Sequence, residues 1–113
     1  MIKILKRSEH GNINHGWLNT YHHFSFAGFY DPLKMGYGPL RVLNDDYIES
    51  GTGFDMHPHK DMEILTYVIN GELTHKDSLN NERTVSRGQV QYMSAGSGIF
   101  HSEFNKGKEV LRL

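Results

Sequence analysis

The chain contains no cysteine. Disulfides, thiolate metal sites and cysteine nucleophiles are therefore excluded, and a reducing compartment suits the composition. No window approaches the apolar length of a membrane span. The stretch Met1-Ile2-Lys3-Ile4-Leu5-Lys6-Arg7 lacks the apolar core of a signal peptide. A cytoplasmic protein without membrane attachment is the expectation. Charge of one sign is also missing, since 12 Lys and Arg face 13 Asp and Glu for a formal net charge of -1. That balance offers no long-range field for nucleic acid, so direct nucleic-acid binding is not expected. Internal repeats, low-complexity tracts and helical hydrophobic periods of useful length are absent as well. Gly51-Thr52-Gly53 and Gly96-Ser97-Gly98 are followed by neither Lys-Ser/Thr nor a helix opening, which reads as turns rather than phosphate loops. No serine or threonine has a convincing base partner, so hydrolysis through a covalent intermediate has no support.

What is present fits one small β-rich domain. A chain of 113 residues can bury a single core, and its 12 glycines punctuate short apolar runs. The clearest run, residues 62–69, is apolar on both faces and predicts a strand in the middle of a sheet. Asn70-Gly71 then predicts a two-residue hairpin turn, with residues 72–77 as the return strand and a second turn at residues 79–82. Further strands are expected at residues 23–27, 40–43, 53–59, 90–93, 99–104 and 110–113. Many short strands joined by tight turns indicate a barrel or a sandwich.

The chain holds eight histidines, and their spacing carries the chemistry. His57 and His59 sit at i and i+2, so an extended backbone points both imidazoles to one face, and Pro58 disfavours helix there. Glu63 shares their parity if the strand runs on unbroken. His101 and Glu103 repeat the arrangement on a later strand. Two such pairs can converge as three neutral nitrogens and one carboxylate, a donor set for iron, manganese, nickel, copper or zinc. His75 has a parity that can face the interior, where it would support a metal ligand or simply pack. His22 and His23 read as packing or surface positions, and His10 and His15 receive no role. Core packing is expected of Phe54, Met56, Tyr92 and Met93.

At these residues the chain resembles the cupin superfamily. Gly51, His57, His59, Glu63 and Gly71 match the first cupin motif. Gly88, Gly96, His101 and Asn105 resemble the second, with Ser94 in place of its proline and a longer loop before His101. Those departures, with Trp17-Leu18-Asn19-Thr20-Tyr21-His22-His23-Phe24-Ser25-Phe26, His57-Pro58-His59-Lys60-Asp61-Met62-Glu63 and residues 93–103, resemble the pirin family from about Trp17 onward.

The resemblance implies an all-β, single-domain fold, the cupin-type double-stranded β-helix or jelly-roll barrel. It implies a metal on His57, His59, His101 and Glu103, usually Fe(II), with Zn, Mn, Ni or Cu as alternatives. The general cupin scheme would use Glu63 instead of Glu103. The implied activity is an iron-dependent dioxygenase of the quercetin 2,3-dioxygenase type. It would act on a small aromatic, flavonol-like substrate, with Glu103 catalytic as acceptor of the substrate's hydroxyl proton. The alternative is a non-enzymatic, iron-binding redox regulator acting through protein partners. Pirins resemble two cupin barrels in tandem, so residues 1–113 correspond to the amino-terminal cupin domain without its carboxy-terminal half. Residues 110–113 then read as an unfinished apolar strand, which predicts a homodimer or pairing with the missing half.

Overall fold

The computed structural model describes residues 1–113, and apart from one short 3-10 turn at Arg7–Glu9 every regular element is a strand. The chain divides into two compact units, Met1–Asp46 and Tyr47–Leu113.

In the first unit β1 (Gly11–Asn14) and β2 (Leu18–His22) form an antiparallel pair, with Gly11 opposite His22 and Asn14 opposite Asn19. Gly16, at φ 88, supplies the left-handed residue of the connecting turn. Leu18, Thr20 and His22 are buried in alternation, as one face of a strand requires. The Thr20 hydroxyl donates to the buried Asp46 carboxylate, which burial pushes above the usual carboxylate range.

Residues 23–27 and 40–43 are not strands. They contribute to two tight loops, where Phe26 and Phe29 exchange backbone hydrogen bonds of 2.9 Å, as Tyr37 and Leu40 do at 2.9 and 3.0 Å. Ala27 at φ 48 and Gly38 at φ 57 reverse the chain there. Aromatic content favours extended backbone, but two-residue closure overrides it. Strand β3 (Asn44–Ile48) begins just after, on polar residues that a local reading passes over.

In the second unit β4 (Gly53–His59), β9 (Ile99–Phe104), β6 (Glu72–Asp77) and β7 (Glu82–Ser86) form a four-stranded antiparallel sheet in that order. The other two, β5 (Glu63–Tyr67) and β8 (Val90–Ser94), form a second sheet. Placing β9 between β4 and β6 pairs residues that lie from 24 (Asp77 with His101) to 51 (Gly53 with Phe104) positions apart, which no local pattern announces. Ile48, Val68, Leu73, Val85, Met93 and Leu111 form the apolar core of this unit.

Four expectations are corrected here. Asn70-Gly71 does not close a hairpin, because β5 pairs with β8 and β6 with β7 and β9. Gly71 turns the chain from one sheet to the other at φ 83. Second, β5 is no central strand: Thr66 and Val68 are buried, whereas Leu65 is 72% exposed. Third, Met56 and Tyr92 are not core residues, at 47% and 61% exposure. Fourth, the run at 110–113 is not an open edge. Its strand β10 (Leu111–Arg112) pairs with Ile48 and Tyr47 of β3, Arg112 also exchanges backbone hydrogen bonds of 2.9 and 3.2 Å with Asn70, and Leu111 is fully buried. Strand β7 escaped the sequence reading because it is an edge strand whose solvated side chains are polar, with Val85 alone buried.

Candidate metal centre

Strand β4 carries His57 and His59, and β9 carries His101 and Glu103. Their convergence depends on register. Gly53 pairs with Phe104 and Phe54 with Glu103, but three residues later His57, not Met56, lies opposite His101. The shift is a β-bulge, one extra residue on β4. A one-residue slip exchanges the two faces of a strand, so without the bulge Met56 would face His101 and His57 would turn away. The bulge builds the site.

The Nε2 atoms of His57 and His101 are 2.8 Å apart. Glu103 Oε1 lies 3.3 Å from the same His101 Nε2. The ring of His59 is 4.9 Å from that of His57 and 4.7 Å from that of His101. One ring nitrogen from each of the three histidines lies within 4.8 Å of the others. Donors about 2.1 Å from a common ion, at right or tetrahedral angles, stand roughly 3.0–3.4 Å apart. The His57–His101 and His101–Glu103 separations are close to that spacing, so the residues fit a single transition-metal ion. The compact group is the three imidazoles, and Glu103 joins it through His101.

The tautomers agree with this. His57 Nδ1 donates to the Asp55 carbonyl at 2.6 Å, which leaves the lone pair of Nε2 facing the cluster. His101 is 0% exposed. Burial, followed by the nearby imidazoles of His57, His59 and His75, lowers its pKa to about 4, so it stays neutral near pH 7 as a ligand must. Burial and then His57 lower His59 as well.

Glu63 is not part of the group. Asp61, at φ 57, breaks the extended backbone after β4, and Glu63 opens β5 opposite Ser94 as an exposed residue. Parity along an unbroken strand therefore does not apply. His75 is buried, lies opposite Glu103 between β6 and β9, and sets its ring 5.0 Å from that of His101. Asp77, opposite His101 on the same strand, was missed by sequence reasoning. The His-x-Asp spacing at 75 and 77 was the available signal. The Asp77 carboxylate accepts hydrogen bonds from the Leu79 and Asn81 amides at 2.9 and 3.0 Å, and these contacts, Asn81 first, hold its pKa below the usual range. In the first unit His22 is buried 5.3 Å from the Phe26 ring, a packing position. His10 and His23 lie with ring centroids 3.6 Å apart and their planes tilted by 43°.

Comparison with known proteins agrees with the fold. The family model described as Pirin matches residues 4–113. A quercetin 2,3-dioxygenase of Escherichia coli strain K12 is 58% identical over 105 residues, covering 93% of this chain and 46% of that protein. A pirin-like protein of Caulobacter vibrioides is 55% identical over 103 residues, covering 91% and 44%. The crystal structure of the bacterial pirin YhhW from Escherichia coli in complex with nickel(II) superposes with a TM-score of 0.92 at 56% identity, over 95% of this chain and 47% of that one. A predicted oxalate decarboxylase from Thermotoga maritima shares the fold alone, with a TM-score of 0.71 at 20% identity, over 97% of this chain and 93% of that one. The fold is the all-β cupin type, and the chain spans about half the length of the curated relatives it matches. No helix is long and apolar enough to cross a membrane.

Proposed function

Because this chain belongs to the pirin family, we propose that His57, His59, His101 and Glu103 hold one divalent transition metal, Fe(II) in the working protein, for quercetin 2,3-dioxygenase-type chemistry. We read residues 1–113 as the pirin-like amino-terminal cupin domain. The observation that carries the proposal is the meeting of His57 Nε2, His101 Nε2 and Glu103 Oε1 within 2.8 and 3.3 Å. The relative crystallised with nickel(II) supports a divalent ion, and relatives named quercetin 2,3-dioxygenase support a flavonol-like substrate.

When bound, the ion supplies Lewis acidity toward a substrate oxygen and redox chemistry toward dioxygen. The protein's own groups do the rest. The Asp55 carbonyl holds the His57 ring in one tautomer. Burial keeps His101 neutral and shields it from water. Glu103, half-buried beside His101, accepts the hydroxyl proton of the incoming substrate, which leaves an oxyanion to be bound.

Oxygen uptake with quercetin by iron-loaded protein tests the reading. Uptake should stop on chelation and in His57→Ala, and iron-loaded protein with no uptake overturns the dioxygenase reading for this chain. The regulator reading keeps one observation in its favour: Leu65, Tyr67, Val90 and Tyr92 form an exposed apolar row on the outer face of β5 and β8, a composition found at protein-contact surfaces. Iron bound without turnover favours it.

A further inference from the structure

The crossover from β5 to β6 carries Asn70-Gly71, the one place in the chain where glycine follows asparagine. Each residue meets a separate structural need there. Gly71 adopts φ 83, and a Cβ on it would lie 3.0 Å from the Leu111 Cα and 3.1 Å from the Val110 carbonyl oxygen. Both conditions call for glycine. The Asn70 backbone donates to Arg112 at 3.2 Å and accepts from it at 2.9 Å. Its side-chain amide donates to the Val110 carbonyl at 3.3 Å. These contacts hold β10 in place, and with it the fully buried Leu111.

The same dipeptide is chemically labile. Asparagine is a thermolabile residue, and a following glycine has no Cβ to hinder attack by its own amide nitrogen. No backbone hydrogen bond engages the Gly71 amide. Asn70 is exposed, and both residues line a solvent-facing cavity of about 710 Å³, so water reaches them. The Gly71 nitrogen can attack the Asn70 Cγ: the N–Cγ bond forms, the Cγ–Nδ2 bond breaks, and the Gly71 proton leaves with the amide group as ammonia. One water then opens the cyclic imide. Opening at Cγ gives aspartate, and opening at the main-chain carbonyl gives isoaspartate. Ring closure requires Asn70 to rotate out of the extended conformation that its bridge to Arg112 imposes. The reaction therefore waits on local opening of β10.

We propose that Asn70 is a site of spontaneous deamidation whose rate is set by the opening of β10 and whose products loosen that strand. Isoaspartate adds a carbon to the backbone and removes from it the carbonyl that accepts from Arg112. Aspartate keeps the backbone but sets an oxygen against the Val110 carbonyl in place of the Nδ2 donor.

The test incubates the intact protein at mildly alkaline pH. Isoelectric focusing, mass spectrometry of the tryptic peptide 61–76 and methyl transfer by a protein isoaspartate methyltransferase follow the products. An acidic species altered at residue 70 should form ahead of change at the exposed Asn80 and Asn81, and more slowly than in the urea-unfolded chain. Leu111→Ala, which removes the buried anchor of β10, should speed it roughly 10-fold or more. Parent protein in urea below its unfolding transition should respond in the same direction, which serves if that variant does not fold. Asn70→Asp should melt at a lower temperature than the parent. Reaction at Asn80 or Asn81 before Asn70 overturns the proposal. So does a rate that neither Leu111→Ala nor dilute urea raises, and so does an unchanged melt for Asn70→Asp.

Discussion

The Nε2 atoms of His57 and His101 face each other at 2.8 Å, although 44 residues separate them in the chain. His57 Nδ1 donates to the Asp55 carbonyl, so the proton between the two Nε2 atoms belongs to His101. An ion bound to both Nε2 atoms sends that proton to His101 Nδ1 with no change of charge, whereas a doubly protonated imidazole cannot ligate, so binding should weaken as the pH falls. Metal titration by calorimetry from pH 8 to 5 measures the loss. Affinity that stays constant over that range would show that the pair is not part of the site.

The two candidate carboxylates separate cleanly. Glu103 Oε1 is 3.3 Å from His101 Nε2, whereas Glu63 is exposed at the start of β5. Glu103→Gln should lower metal content measured by mass spectrometry of the purified protein, and Glu63→Gln should leave it unchanged. His101→Ala should abolish stoichiometric binding. The reverse order for the two glutamates would favour the general cupin ligand scheme.

Gly53 holds the register of the site. A Cβ at this position would lie 2.2 Å from the Glu103 carbonyl oxygen and 2.6 Å from the Phe104 Cα, both of them backbone atoms. Neither can move without disturbing β9. Gly53→Ala should cost more than about 2 kcal/mol and reduce metal uptake as well. Thermal melts beside metal analysis report both, and an unchanged melt would show that β4 and β9 yield more easily than their pairing suggests.

Acid should destabilise the fold in a defined window. His101 titrates near 6.5 when unfolded and at about 4 when folded. Above about 6.5 both states are neutral at this group, and folding is indifferent to pH there. Between 6.5 and 4 the unfolded chain binds a proton that the folded chain refuses. Stability should therefore fall through that range as the pH drops, by at most about 3 kcal/mol from this residue. His59 and His75 are lowered in the same direction. Urea melts of metal-free protein from pH 8 to 4 measure the slope. A flat profile would contradict the burial of this histidine.

Asn105 is fully buried. Its side-chain amide donates to the Ile48 and Glu109 carbonyls at 3.0 and 2.7 Å, and its oxygen accepts from the Gly107 amide at 3.0 Å. Asn105→Ala strands all three partners and should destabilise by about 2–4 kcal/mol. Chemical denaturation gives the value, and a loss below 0.5 kcal/mol would mean that water replaces the side chain.

The sequence by itself determined the all-β class and the pairing of His57 with His59 and of His101 with Glu103. Alternation along an extended backbone is local, so the i and i+2 residues share a face wherever the strand lies. It also supplied the pirin resemblance that the family match bears out. Tertiary structure alone decided which pairs meet. The bulge between Phe54 and His57 sets His57 against His101, the left-handed turn at Asp61 removes Glu63, and Asn70-Gly71 crosses between sheets rather than closing a hairpin. Strand register and partner choice are long-range properties. They follow from how a core closes over apolar faces, and no window of neighbouring residues contains that information.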